Sequence, residues 1–460
     1  MPRQGQRLVV VGNGMAATRL VEELVAREAG LDVTVVGDEP GPSYNRILLS
    51  AVLEGTHPEA ETVLQSEEFH ADNGVSLLTG TRVAEVDRSV REVVLEDGRR
   101  LTYDRLVLAT GSVPTLPPIR GLVTAEGRLH PKVHAFRSLA DCRRLHASVP
   151  GARRAVVVGG GLLGLQVARA LGVRGLEVDL VEGSSHVLSS QVGEKAGAVL
   201  ARGLRRLGTE VYTHTRAVRM TDEGIRLDNG YTLPADLVVL AAGARPATAI
   251  AKRAGLFVRR GVVVDAQLRS ITDDRVHALG DCAEPGGRTS GFVPPAWEQA
   301  AVLARVLAGE EARYDGSRVV ARLRATGLDV AVMGDPEQAP GEVVEVANPI
   351  AGTYRKLVVR GGVIEAAVMV GDLTRVGLVT QLFDRRTVLA PDEPGRLLMT
   401  DAPAVAGPLP DDAEVCACAG VTAGRLRGCP DLATAVVRTR ATTGCGGCTD
   451  VVEELVATPL

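Results

Sequence analysis

Cys416-Ala417-Cys418 and Cys445-Gly446-Gly447-Cys448 stand 26 residues apart near the end of the chain. Two close pairs of thiolates can surround one small centre, either a zinc ion or an iron–sulfur cluster. Zinc sites usually space both pairs as Cys-x2–4-Cys, whereas the first pair here is Cys-x-Cys. An iron–sulfur centre is therefore the leading reading, with structural zinc or an unmetallated thiol set beside it. Cys429 lies between the pairs, next to Pro430, and reads as a buried spectator. Cys142 and Cys282 have no partners in sequence and read as core residues.

Upstream are two turns suited to a pyrophosphate. Gly12, Gly14 and Ala17 occupy the Gly-x-Gly-x-x-Gly/Ala places after the apolar run Arg7–Val11. In such a turn the glycines let backbone approach the phosphates, and the following helix supplies N–H groups and a positive dipole. An acidic side chain about 20 residues on takes the ribose hydroxyls. Asp38 is the candidate, with Glu39 the neighbour to exclude. The pattern recurs as Gly159, Gly161 and Gly164 after Arg154–Val158, with Glu182 as the acid. A carboxylate there pairs with both ribose hydroxyls and repels a 2′-phosphate. The residues after it, Gly183-Ser184-Ser185-His186, contain no arginine, so NADH is favoured over NADPH.

The elements that carry these turns follow from hydrophobic periodicity. Each turn is followed by a helical pattern, to about Ala29 and about Arg174, and then by a strand, Asp32–Val36 and Glu177–Val181. Residues 310–385 alternate apolar runs (Val319–Leu323, Leu357–Val359, Ala366–Val370) with glycines, the pattern of a small, mainly β domain with some helix. Five prolines and several acidic residues in 390–412 favour an extended connector. At 460 residues, three or four domains are expected.

Composition narrows the function. Apolar residues at 45% and charged residues at 23% are those of a soluble globular protein, and a net charge of −4 gives no reason for nucleic-acid binding. No stretch of about 18 apolar residues is present, so no membrane span is expected. The opening MPRQGQRLVVVGNGMAA breaks its apolar run on glycine and is not a signal peptide. Seven cysteines, five of them crowded near the end, are not a secreted disulfide framework, and a cytoplasmic location is expected.

Two further stretches carry a resemblance. Arg105-Leu106-Val107-Leu108-Ala109-Thr110-Gly111-Ser112 is a strand ending in a tight turn, and Val276–Ala283 is a strand ending in Gly280-Asp281. With the first glycine turn, they resemble the flavoprotein reductases built on two dinucleotide-binding domains. The resemblance implies FAD on the first fold, with Thr110 and Gly111 lining the flavin side and Asp281 bonding the ribityl chain. Ala235–Pro246, with Gly243 in its turn, resembles the strand and turn that close the NAD domain. Family members that reduce disulfides or peroxide carry a redox cysteine near Tyr44-Asn45-Arg46. This chain has no cysteine before Cys142, so a thiol–flavin relay is not expected, and Arg46 is placed near the flavin or on the surface. Gln166 stands where many relatives place a glutamate, which removes a carboxylate near the nicotinamide.

Val415–Cys418 with Thr443–Cys448 resembles the bacterioferritin-associated-ferredoxin type of [2Fe–2S] domain, with a somewhat shorter intervening segment. The whole order is similar to the N-terminal portion of NADH-dependent nitrite reductase large subunits and to electron-transfer subunits of assimilatory nitrate reductases. Tyr44–Ser50, and Tyr354–Leu357 through Val370-Gly371-Asp372, fit those families best. The implied fold is α/β with two Rossmann-like domains, a small α+β domain and a small helical [2Fe–2S] module. Its bounds are 1–122 with 245–310 for FAD, 123–244 for NAD, 311–386 for the small domain, 387–412 for the linker and 413–460 for the cluster module. The implied activity carries electrons from NADH through FAD and the cluster to a partner redox protein, foremost a nitrate reductase catalytic subunit. A ferredoxin or rubredoxin acceptor, and iron release from a ferritin, are the alternatives. No acid–base dyad is expected, nitrite reduction unaided is not, and the oligomeric state is open.

Overall fold

Each glycine turn sits at the carboxyl end of the middle strand of a five-stranded parallel sheet. The computed structural model describes residues 5–399, 409–416, 419–443 and 448–457. In the first sheet the strands run Val276–Ala278, Arg105–Leu108, Gln6–Val11, Leu31–Val36, Ser76–Leu78. In the second they run Val133–Ala135, Leu237–Leu240, Arg154–Val158, Glu177–Val181, Thr209–Tyr212. The order is the same, and in both sheets all pairings are parallel. Their middle strands are continuous apolar runs, as a parallel sheet covered on both faces demands. Each fold also carries a three-stranded antiparallel sheet, inserted in the chain between Ser76–Leu78 and Arg105–Leu108 in the first and between Thr209–Tyr212 and Leu237–Leu240 in the second. These are Val83–Asp87, Glu92–Leu95, Arg100–Thr102 and Ala217–Met220, Gly224–Leu227, Thr232–Pro234.

The chain divides into two compact units. The first comprises Met1–Arg46, Glu59–Val113 and Ala244–Ser317, and holds the first fold. Its fingerprint helix, Met15–Ala26, buries Ala17, Leu20, Val21 and Leu24. That spacing draws one apolar stripe toward the sheet. The outer face pairs Arg19 and Arg27 with Glu23, each at 2.7 Å. Helix Val293–Leu307 packs beside it and adds Ala300, Leu303 and Ala304 to the core.

The second unit comprises Ile47–Pro58, Pro114–Gly243 and Arg318–Leu460. Two corrections to the expected bounds follow. Residues 47–58 and 114–122 pack with the second fold, not the first: Ile119 and Leu122 lie in its core, and helix Leu49–Glu54 accepts a thiol hydrogen bond from Cys142 at the Leu49 carbonyl. The connector expected from residue 387 also starts too early. Val388 pairs with Val363, Leu389 is buried, and helix Glu393–Leu398 buries Leu397 and Leu398 in the core of the small domain. Pro394 opens that helix, a place where its missing N–H costs nothing.

The small domain has five antiparallel strands in the order Val320–Ala325, Leu328–Met333, Val363–Val370, Thr353–Arg360, Glu342–Asn348. Helix Val376–Asp384 packs Val379 and Phe383 on them. The C-terminal segment forms the hairpin Glu414–Cys416 with Val421–Thr422 and the helices Ala423–Arg427, Leu432–Thr439 and Thr449–Ala457. Asp431 caps the middle helix, accepting from Thr434 N at 2.6 Å. Among the described residues, no helix is long and apolar enough to cross a membrane.

Candidate cofactor sites

Gly12 has φ +115°, and a Cβ there would lie 2.2 Å from the Ala109 carbonyl oxygen. Only glycine lets the turn close against the neighbouring strand end. Gly14 is the N-cap of the fingerprint helix, no side chain caps it, and a Cβ on it would meet open space. A helix start with no side-chain cap and room beside its N-cap glycine is what a pyrophosphate requires. Ala17 is buried.

The Ala109–Ser112 and Gly280-Asp281 motifs come together around this turn. Thr110 Oγ1 donates to the Ala247 carbonyl at 2.7 Å, and Gly111 follows with positive φ. Ser112 Oγ donates to Asp281 Oδ2 at 2.7 Å. Gly280 lies against the fingerprint helix, its notional Cβ 3.1 Å from Ala16 Cβ. Its N–H donates to the buried Gln299 Oε1 at 2.8 Å, which holds the loop carrying Asp281. Sequence reading missed Gln299, because a polar residue inside an apolar helical stripe carries no local signature. Cys282 is fully buried, its thiol donates to the Leu108 and Leu279 carbonyls, and burial pushes its pKa up. It is a neutral core thiol, and Cys142 is likewise buried in the core, as expected.

At the end of strand Leu31–Val36 the two acids differ. Asp38 is exposed and pairs with Arg82 at 3.5 Å. Glu39 is half-buried, accepts from Tyr44 Oη at 2.6 Å and pairs with Arg46. Arg46 also lies over the Tyr44 ring, 5.0 Å from its centroid. The held carboxylate is thus the neighbour of the predicted one.

In the second fold Gly159 has φ +114°, and its Cβ would lie 2.4 Å from the Ala241 carbonyl oxygen. Gly161 caps its helix without a side chain and faces open space. Gly164 touches the Gly159 carbonyl so closely that no Cβ fits. Gly243 follows Ala241-Ala242 with positive φ, in the place Gly111 takes in the first fold. Glu182 Oε2 accepts from Gly160 N at 2.6 Å and Oε1 from Ser184 N at 2.7 Å, so both oxygens are pinned.

Cys416 ends the first strand of the C-terminal hairpin, and Cys448 immediately precedes the last helix. Both are buried in one core with Val421, Leu426, Cys429, Ala435 and Val452. Two thiols of the quartet thus share one sequestered core. Cys418 and Cys445 lie outside the described residues. Among the described residues no three His, Cys, Asp or Glu side chains converge.

Residues 6–301 match the model of the family described as pyridine nucleotide-disulphide oxidoreductase. The chain belongs to that family. It is an oxidoreductase of the kind that uses FAD and NAD(P)H. Residues 320–387 match the rubredoxin NAD+ reductase C-terminal domain. The reductase is 33% identical to the nitrite reductase [NAD(P)H] of Bacillus subtilis (strain 168), over 98% of this chain and 57% of that protein. It is 31% identical to the assimilatory nitrate reductase electron transfer subunit of the same organism, over 98% of this chain and 59% of that protein. It thus spans little more than half the length of these relatives. Among solved structures, the covalent putidaredoxin reductase–putidaredoxin complex matches at TM-score 0.79 and 26% identity, covering 87% of this chain and 97% of that one.

Proposed function

We propose that this reductase takes electrons from NADH and delivers them, through FAD and a [2Fe–2S] cluster, to a partner redox protein, foremost a nitrate reductase catalytic subunit. The repeated turn carries the reading. In both folds a glycine that admits no Cβ is followed by an uncapped helix start facing open space. Gly12, Gly14, Ala17, Thr110, Gly111 and Asp281 would hold FAD, with Glu39 or Asp38 at its ribose and Arg46 close by. Gly159, Gly161, Gly164, Glu182 and Gly243 would hold NADH, and Cys416, Cys418, Cys445 and Cys448 the cluster. When bound, the flavin supplies the change from two-electron to one-electron transfer, and the cluster supplies a one-electron outlet. The chain binds, orients and excludes water, and its buried thiols Cys142 and Cys282 stand outside the redox route.

Similarity to the electron transfer subunit over 98% of this chain supports the nitrate reductase partner. The rubredoxin-reductase domain match supports a second reading, an NADH:rubredoxin or ferredoxin reductase. The test mixes the purified protein with NADH and each acceptor without oxygen. NADH should bleach a flavin spectrum, and Cys416→Ser or Cys448→Ser should remove the iron-dependent absorbance while leaving that bleaching intact. Zinc in place of iron would sink the cluster. Rapid reduction of rubredoxin or ferredoxin with nitrate reductase left oxidised would transfer the reading to the alternative.

A further inference from the structure

The residues that follow Glu182 contain no arginine, yet the fold brings one there from the next strand. Three backbone hydrogen bonds join the loop after Thr209–Tyr212 to the loop after Glu177–Val181. Glu182 N donates to Tyr212 O at 2.7 Å, His214 N to Ser184 O at 2.9 Å, and Thr215 N to Glu182 O at 3.2 Å. His214 takes a left-handed φ of +53° to make this approach, a conformation that costs a non-glycine residue free energy. The chain thus holds Arg216 against Gly183. A Cβ on Gly183 would lie 3.2 Å from Arg216 Cγ and 3.3 Å from its Nε. Glycine at 183 leaves room for that side chain. Among the described residues, no carboxylate lies within ion-pair distance of the exposed Arg216, and Glu182 is engaged with Gly160 and Ser184 instead.

We propose that Arg216 is a coenzyme-binding residue that determines specificity, offering a guanidinium to the 2′-phosphate of NADPH beside the ribose carboxylate Glu182. This rests on the reading of the second fold as the coenzyme site. The two side chains oppose one another. Glu182 prefers the free ribose hydroxyls, whereas Arg216 matches phosphate geometry and charge. The outcome is a reductase that prefers NADH and still accepts NADPH.

Anaerobic flavin reduction by each coenzyme, with calorimetry of 2′,5′-ADP and 5′-AMP on the full chain, tests this. Arg216→Ala should cut kcat/KM for NADPH by about tenfold or more, through KM, and weaken 2′,5′-ADP by a like factor. NADH and 5′-AMP should change by less than about threefold. Arg216→Lys should recover part of the NADPH loss, since charge returns without the fork. High salt should mimic the alanine variant for NADPH alone. Equal losses for both coenzymes, or an Arg216→Ala protein that still binds 2′,5′-ADP like the parent, would overturn the role of Arg216. Failure of the underlying site looks different: neither nucleotide would bind the parent protein, and Glu182→Ala would alter nothing.

Discussion

The two dinucleotide folds share one plan and differ at the end of their second strand. Gly12 closes on Ala109 and Gly159 on Ala241 in the same manner, and even the edge strands beside Arg105–Leu108 and Leu237–Leu240 carry the same tripeptide, Val-His-Ala, at 276–278 and 133–135. Those tripeptides pair in the same register, His277 opposite Val107 and His134 opposite Val239. Beyond the second strand they diverge. In the second fold Glu182 follows Val181 directly, its carboxylate leaning over Gly160. In the first fold that place is Gly37, whose notional Cβ would meet Asn13 Cβ at 2.6 Å. The bulky side chain has changed sides of the turn, and the acids sit one and two residues farther on. A shared backbone cradle suits a pyrophosphate common to both cofactors, while the exchange of side chains distinguishes what lies beyond it.

Removing the shared part should give the largest effects, and should separate the folds. Gly12→Ala should yield protein that loses flavin on purification. Gly159→Ala should keep its flavin while NADH bleaches it about 5- to 150-fold less efficiently, the factor that one to three kcal/mol of overpacking produces. Flavin loss in the second variant would show that the folds do not hold separate cofactors. Glu182→Ala comes next. Losing a charged acceptor costs about 1.5–3 kcal/mol, so kcat/KM for NADH should fall about tenfold or more and the gap to NADPH should narrow. A parent protein that prefers NADPH would refute this assignment.

A smaller effect separates the two candidate acids of the first fold. Glu39→Gln should weaken FAD several-fold, by about 1 kcal/mol, because it breaks a carboxylate held by Tyr44 and Arg46. Asp38→Asn, at an exposed pair with Arg82, should stay within about twofold. Fluorescence titration of the apoprotein with FAD reads both, and the reverse order would return the ribose role to Asp38.

One further effect is on stability and appears only in acid. Burial, reinforced by Arg105 and Arg269, pushes His277 down to about 3, so the folded protein keeps it neutral. His134 is lowered too, by burial and Arg144. Above about pH 6.5 neither histidine adds to pH dependence. Below it, protons bind the unfolded chain first, and each depressed histidine costs up to about 1.4 kcal/mol per pH unit, for His277 until about pH 3. Melting curves at pH 7 and pH 5 should show His277→Gln reducing the acid loss more than His134→Gln. Equal slopes in parent and variants would exclude the histidines as the cause.

The parts of this architecture that were legible share a property: their signal is local. Arg154–Val158 and Glu177–Val181 match the expected strands residue for residue because each carries a short β-branched, largely apolar signal, Ala155–Val158 and Val178 with Leu180-Val181. The glycines stood out because the turn that needs them is short. What escaped depends on contacts between distant segments. Strand Glu342–Asn348 is an exposed edge with no apolar alternation, held by pairing to Thr353–Arg360. Residues 388–398 read as connector from their prolines and acids, yet Leu389, Leu397 and Leu398 supply a buried face. Arg216 reaches Gly183 only because two loops hydrogen-bond.

The equivalent Val-His-Ala edge strands also differ in when they are made. Val133–Ala135 precedes the rest of its sheet, so the second fold can close as soon as Leu237–Leu240 is synthesised. Val276–Ala278 follows the entire second fold, and until it arrives Arg105–Leu108 presents an open apolar edge. At translation rates of about 5–20 residues per second, that edge waits on the order of ten seconds. Unpaired edges of this kind recruit other strands. The inserted domain thus imposes a delay on its host, and a nascent chain stalled before residue 276 should depend on a chaperone in a way that one stalled after it does not.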